Sequence, residues 1–206
     1  MKIIAHRGFW VSESEKNSKI AFDRAFDQNL GIETDVRQYN NHLIISHDPV
    51  CDLKLTLKIA LSSWNGSQLL ALNVKEDGLA ISIKELMAAY SQENWFVFDM
   101  SIPDTRDQLK AGNPIFVRMS EFEREPAWLN HAKGVWLDNF ESIWFGIDTL
   151  LAILEQNKKV CIVSPELHGR DYQPLWEMIK PLAKDNNLIL CTDFPGKALS
   201  FFGEIA

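Results

Sequence analysis

The sequence predicts an α/β fold, a single-domain (β/α)8 TIM barrel over residues 1–206, and three observations carry that expectation. Short apolar runs rich in β-branched and aromatic residues recur along the whole chain at about strand length. Most are separated by segments whose apolar residues step by three and four, the helical period. The runs are also almost continuously apolar, as in strands of a parallel sheet buried on both faces.

The predicted strands are 2–5, 31–36, 43–46, 69–74, 95–98, 115–117, 135–137, 160–163 and 188–191. Run 43–46 follows its predecessor too closely for a crossover helix, so it reads as a β-extension leading into a loop. Eight β/α units remain, about 26 residues each, which is tight for this class of fold. Helical periodicity marks 18–28, 83–90, 105–110, 147–156, 174–183 and 197–202. In the first of these Phe22, Ala25, Phe26 and Asn29 share a face, and Ser18 stands where an N-cap belongs. Segment 48–68 fits least well, with turn signals at Asp48-Pro49 and Asn65-Gly66 and one short helical stretch, 55–62. Part of it is expected to cover the mouth of the barrel.

Composition excludes several classes. With 46% hydrophobic residues the chain can build a core and is not disordered. A net charge of −7 without a basic run argues against non-specific binding of nucleic-acid phosphates. No apolar stretch is long enough for a transmembrane helix, and the opening Met1-Lys2-Ile3-Ile4-Ala5 is too short for a signal-peptide core. Cys51, Cys161 and Cys191 show neither a disulfide framework nor a zinc spacing, and the last two sit in apolar runs as small buried residues. A cytoplasmic protein is the expectation. Of the tryptophans, Trp64, Trp95, Trp128, Trp136, Trp144 and Trp176 read mainly as core, whereas Trp10 stands where it could stack on a leaving group.

Barrel enzymes carry their chemistry on the loops after the strands. Here polar groups stand at every strand end: His6-Arg7-Gly8, Glu33 and Asp35, His47-Asp48, Asn73 and Lys75, Asp99 and Ser101, Arg118 and Ser120, Asp138, Ser164 and Glu166, and Thr192-Asp193. Glu33 and Asp35 are two apart on a strand and so share a face, where two carboxylates repel unless a cation neutralises them. Mg²⁺ or Ca²⁺ suits such oxygen ligands. The alternative is a solvated strand face or a salt bridge to Arg7 or Arg37. His6 and His47 stand at strand exits beside a charged neighbour, as a general acid and base could, or as two structural histidines. His42 and His131 read as surface residues and His168 is left open. Arg7 by forked hydrogen bonds and Lys75 as a point charge suit a phosphate. Gly8 allows a tight turn and close backbone approach. Together these groups point to metal-assisted phosphoryl transfer.

The order Ile4-Ala5-His6-Arg7-Gly8, Asn17-Ser18, Ala21-Phe22 with Ala25, Ile32-Glu33-Thr34-Asp35-Val36 and Ser46-His47-Asp48 resembles the glycerophosphodiester phosphodiesterase family. Leu190-Cys191-Thr192-Asp193-Phe194-Pro195 is similar to that family's closing T-D-x-P. The resemblance implies a TIM barrel active in lipid metabolism and a small phosphodiester substrate. It also implies a divalent cation on Glu33 and Asp35, His6 and His47 as the acid/base pair, and Arg7 and Lys75 near the phosphate. A substrate hydroxyl or water would attack phosphorus while one histidine takes its proton and the other protonates the departing alkoxide.

Two departures bear on this. Asn73-Val74-Lys75 stands where the family reads E-[IL]-K, so the third metal ligand becomes a neutral amide, with Asp99 or Glu166 as possible compensators. The segment from His47 to Asn73 is short where the family carries an insertion that shapes the glycerol pocket, which leaves the substrate open. Two other functions therefore stay in view: a catalytically degenerate barrel that binds a phosphorylated small molecule, and a lyase that forms a cyclic phosphate.

Overall fold

The computed structural model describes residues 1–50, 52–90 and 94–203. Cys51 lies outside the described residues. The chain divides into two units: Ala5–Ile115, and Met1–Ile4 with Phe116–Ala206. Strand β1 (Lys2–His6) contributes its beginning to the second and its end to the first.

In the first unit, α1 (Lys19–Asp27) follows β1. Ser18 caps it, its hydroxyl accepting from the Ala21 N–H at 3.3 Å, as the sequence predicts. Its buried face, Ala21, Phe22, Ala25 and Phe26, packs on β2 (Gly31–Tyr39). Removing a side chain such as Phe22 from water stabilises the fold by about 1.5–3 kcal/mol. Strand β2 then turns back on itself. Asn40 and Asn41 both have positive φ, 47° and 63°, as a two-residue type I′ hairpin requires. The returning strand β3 (His42–Ile45) pairs antiparallel with β2, Val36 opposite Ile45. The predicted extension is thus a full hairpin arm, and β2 runs three residues beyond its expected end.

Segment 48–68 holds the short helix α2 (Leu57–Ala60), capped by Thr56 and tied to β3 where the Leu55 carbonyl accepts from the Ile45 N–H. Strand β4 (Leu70–Val74) lies parallel to β2 with Asp35 level with Asn73, and β5 (Trp95–Phe98) lies parallel to β4. Helices α3 (Ala80–Ala88) and α4 (Ile102–Ala111) each begin three residues before the periodicity suggested. At α4 the Ser101 cap and Pro103 in the first turn explain the earlier start. The two helices share a buried polar network in which Asn113 bonds Ala80 and Gln108, and Gln108 bonds Asp104.

In the second unit β6 (Phe116–Met119), β7 (Gly134–Leu137), β8 (Lys159–Val163) and β9 (Leu188–Thr192) form consecutive parallel pairs. Among the described residues no α-helix joins β6 to β7; a 3₁₀ turn at Leu129–His131 stands there, so the strand–helix alternation lapses once. Helix α5 (Ile147–Leu154) precedes β8, α6 (Gln173–Ile179) precedes β9, and α7 (Pro195–Gly203) closes the unit. Trp176 anchors the core with Phe201 and Phe202, each ring 5.6 Å away. Cys161 and Cys191 are buried as expected, and so are Trp64, Trp95, Trp136 and Trp176, the majority of the tryptophans.

Candidate active site

The site is built on the ends of β1 and β4 and on the middle of β2. After His6 the chain turns through Arg7 and Gly8, with φ of +56° and +87°. A Cβ on Gly8 would lie 2.8 Å from both Ala21 Cβ and Phe22 Cδ1, so glycine is required for the turn to lie on α1. The Phe9 and Asn17 amides donate to the carbonyls of Ala21 and Arg7, both at 2.9 Å, and close the loop. Arg7 is held in a conformation that non-glycine residues avoid, a cost found mainly where a site needs the side chain aimed. Trp10 donates its indole N–H to the His6 carbonyl at 3.2 Å and carries Lys16 over its ring at 4.5 Å.

That turn and the end of β4 each place a cation on a carboxylate pair. Glu33 and Asp35 are 1% and 0% exposed. The Arg7 Nε lies 3.1 Å from Asp35, and its backbone N–H donates to Glu33 at 3.3 Å. Lys75 Nζ, one residue past the end of β4, lies 3.3 Å from Asp35 and 3.8 Å from Asp99. His6 Nε2 is 3.8 Å from Glu33. Burial, and then the neighbouring charge of Asp35, push Glu33 up to about 7. Of the two arginines, Arg7 reaches the pair, whereas Arg37 turns to the His47 carbonyl and Glu76.

Asn73 sits beside Asp35 across the β2–β4 register. Its Oδ1 is buried without a hydrogen-bond partner, and so is Asp35 Oδ1, which has only its ion pair to Lys75. These two oxygens and the Glu33 carboxylate are hard donors of the kind that could hold Mg²⁺ or Ca²⁺. Among the described residues no three His, Cys, Asp or Glu side chains gather in metal-binding geometry, so the set is two carboxylates and an amide.

The remaining predicted residues fall into three places. Asp99, with φ of +68°, joins the cluster through Lys75. His47 follows β3, whose exit is tied to Asp35 where the Ser46 N–H donates to its carbonyl at 3.2 Å. Its imidazole Nδ1 meets Asp48 at 2.8 Å, a hydrogen bond that holds the Asp48 carboxyl below its ordinary range. Glu166 lies in the other unit, where its carboxylate accepts from the hydroxyls of Ser164 and Thr192 and from the Asp193 N–H at 3.1 Å.

The sequence assigns no role to Asn17 or Glu76, and it offers Arg37 only as a salt-bridge partner for the carboxylates. Asn17, with φ of +58°, donates to Asp35 at 2.7 Å and accepts from Thr34 at 2.9 Å, fixing the strand face. The motif Asn17-Ser18 was its only signal. Arg37 and Glu76 are linked at 3.4 Å, a contact across strands that spacing does not reveal. In the second unit, His168 bonds Asp138 at 2.7 Å, which settles the histidine left open; His42 and His131 are exposed as expected.

No protein-family model matches the sequence, and no curated protein matches it significantly. Solved structures do. A glycerophosphodiester phosphodiesterase from Agrobacterium tumefaciens superposes with a TM-score of 0.70 at 15% identity, covering 100% of this chain and 98% of that one. An Oleispira antarctica phosphodiesterase, solved with the product sn-glycerol-3-phosphate, gives 0.69 at 16% identity over 98% and 97%. Likeness at this identity shows the fold, the (β/α)8 class that the strand–helix alternation predicts. Its structural neighbours are phosphodiesterases. Among the described residues no helix is long and apolar enough to cross a membrane.

Proposed function

We propose that the chain is a phosphodiesterase of the glycerophosphodiester phosphodiesterase type, acting on a small phosphodiester in the cytoplasm as part of lipid metabolism. The observation that carries this reading is the convergence of Arg7, Lys75 and His6 on the buried pair Glu33 and Asp35, which lie on β2 beside the ends of β1 and β4. In this fold such strand ends are where enzymes keep their chemistry. The residue order along β1, β2 and β3 and the phosphodiesterase neighbours support the same assignment.

Glu33, Asp35 and the amide oxygen of Asn73 would hold a divalent cation, Mg²⁺ or Ca²⁺, which when bound supplies charge stabilisation to the phosphoryl oxygens. Arg7 and Lys75 bind those oxygens from the protein side. His6 and His47 form the acid/base pair. One takes the proton of the attacking water or substrate hydroxyl as its oxygen bonds to phosphorus. The other gives a proton to the alcohol oxygen as the P–O bond breaks. Since the Asp48 carboxylate accepts from Nδ1 of His47, the proton exchanged there sits at Nε2. Trp10, anchored on the His6 carbonyl, offers a ring face for the leaving group. Asp99 is the compensating carboxylate this reading retains, because Lys75 already brings it to the cluster.

A screen of small phosphodiesters with Mg²⁺, Ca²⁺ or Mn²⁺, run against a protein-free blank, tests the proposal. Turnover lost in both His6→Ala and His47→Ala supports it; full activity of either variant refutes it. One observation favours binding without turnover: Asp35 is already neutralised by Arg7 and Lys75, and Asn73 brings no third charge. Absence of any thermal shift with millimolar divalent ions would select that reading.

A further inference from the structure

His47 is weakly held by its own side chain. Its imidazole is half exposed, and its one hydrogen-bond partner among the described residues, Asp48, is more exposed still. Such surface pairs restrain a side chain little. What fixes the position is the backbone beneath it. The Arg37 Nε and Nη2 both donate to the His47 carbonyl, at 3.1 and 3.0 Å, a forked contact that sets direction as well as distance. The Arg37 side chain is only 15% exposed, and its Nη1 lies 3.4 Å from Glu76. Glu76 in turn accepts from the Gln38 N–H at 2.8 Å, while the neighbouring Lys75 N–H donates to the Val36 carbonyl at 3.0 Å. The end of β4, which carries Lys75, is thereby locked to the loop that carries His47.

We infer that Arg37 is a positioning residue for His47, with Glu76 as its counter-charge; this rests on the function proposed above. Arg37 touches no reacting atom. Its two donors hold the His47 backbone while Asp48 sets the imidazole tautomer, so the acid/base nitrogen keeps a fixed place relative to Lys75. Lysine supplies one point donor where arginine supplies a fork, so Arg37→Lys keeps part of the hold and Arg37→Met none.

The test pairs steady-state kinetics, on a phosphodiester the wild type cleaves, with the imidazole ¹H–¹⁵N spectrum, the His47 signals assigned from His47→Ala. Arg37→Met is expected to lower kcat by about ten- to a hundredfold with KM within about twofold, as loss of alignment does. Its His47 signals move, and Arg37→Lys returns both readouts part of the way. Unmoved His47 signals with kcat within about twofold of wild type overturn the inference. So does an equal loss in both variants with the His47 signals in place. Should Arg37→Met fail to fold, Glu76→Gln carries the test, because glutamine still accepts from Gln38 while removing the charge. A fall in kcat with displaced His47 signals supports the role, and no change in either overturns it. If wild type cleaves no phosphodiester, the proposed function fails on that result, and the His47 signals still decide whether Arg37 sets its position.

Discussion

Gly8→Ala joins the turn bearing His6 and Arg7 to the packing of α1. Two costs add. An alanine at φ +87° stands in a region that costs an L-residue about 1–2 kcal/mol. Its methyl would also lie 2.8 Å from Ala21 Cβ and Phe22 Cδ1 and 3.0 Å from the Ala21 carbonyl carbon, an overpacking worth about 1–3 kcal/mol. The smaller unfolded-state entropy of alanine offsets about 0.4–1 kcal/mol. The net loss is about 3 kcal/mol, or about 6–12 °C in Tm for a chain of this length. Gly78→Ala is the internal control. Its φ is +92°, but nothing lies within 4 Å of the added carbon, so it carries the backbone cost alone, about 1 kcal/mol net. Urea unfolding of both variants separates the contact from the backbone. Equal losses, or a Gly8→Ala loss below about 0.5 kcal/mol, would refute the claim that α1 and the loop meet too closely for a side chain.

Three further outcomes follow from the same geometry. Asn17→Ala removes the amide that donates to the buried Asp35 carboxylate, so it should cost about 1.5–3 kcal/mol in chemical denaturation and lower turnover. Asn73→Glu adds a carboxylate next to Asp35, so isothermal titration should show divalent-ion affinity raised about tenfold or more, with Tm lowered when no cation is present. Gly134→Ala puts a methyl 2.5 Å from Phe116 Cζ and 2.6 Å from the Lys159 carbonyl oxygen, and should destabilise the second unit by about 1–3 kcal/mol in calorimetry.

The strands were legible in the sequence because a strand buried on both faces has to be apolar along its whole length. The runs at 95–98 and 160–163 are examples, matching β5 and all but the first residue of β8. The hairpin was less legible. Asn40-Asn41 is a type I′ signal, but polar Gln38 and Tyr39 hide the strand that leads to it. At the site, the residues could be named because charge stands out against apolar strands. Their pairings could not, because they depend on register. Arg37 was a potential partner for the carboxylates, yet its side chain runs to His47, ten residues on, which the hairpin brings within its reach. Glu166 was a potential compensating ligand, and its carboxylate accepts from Ser164, Thr192 and Asp193 of its own unit, contacts that spacing does not show. Gly8 and Ser18 were readable because each answers a local demand, a close approach and a helix cap.

Phosphodiester cleavage by a histidine pair set against a carboxylate-bound cation can be read from the product. The protein is incubated with a glycerophosphodiester and Mg²⁺ or Ca²⁺ in ¹⁸O-water, and the product is followed by phosphorus NMR. The expected result is a phosphomonoester carrying ¹⁸O, an unlabelled alcohol, and no product from His6→Ala. A cyclic phosphate as the end product, equal turnover by His6→Ala, or no cleavage with any divalent ion would contradict it.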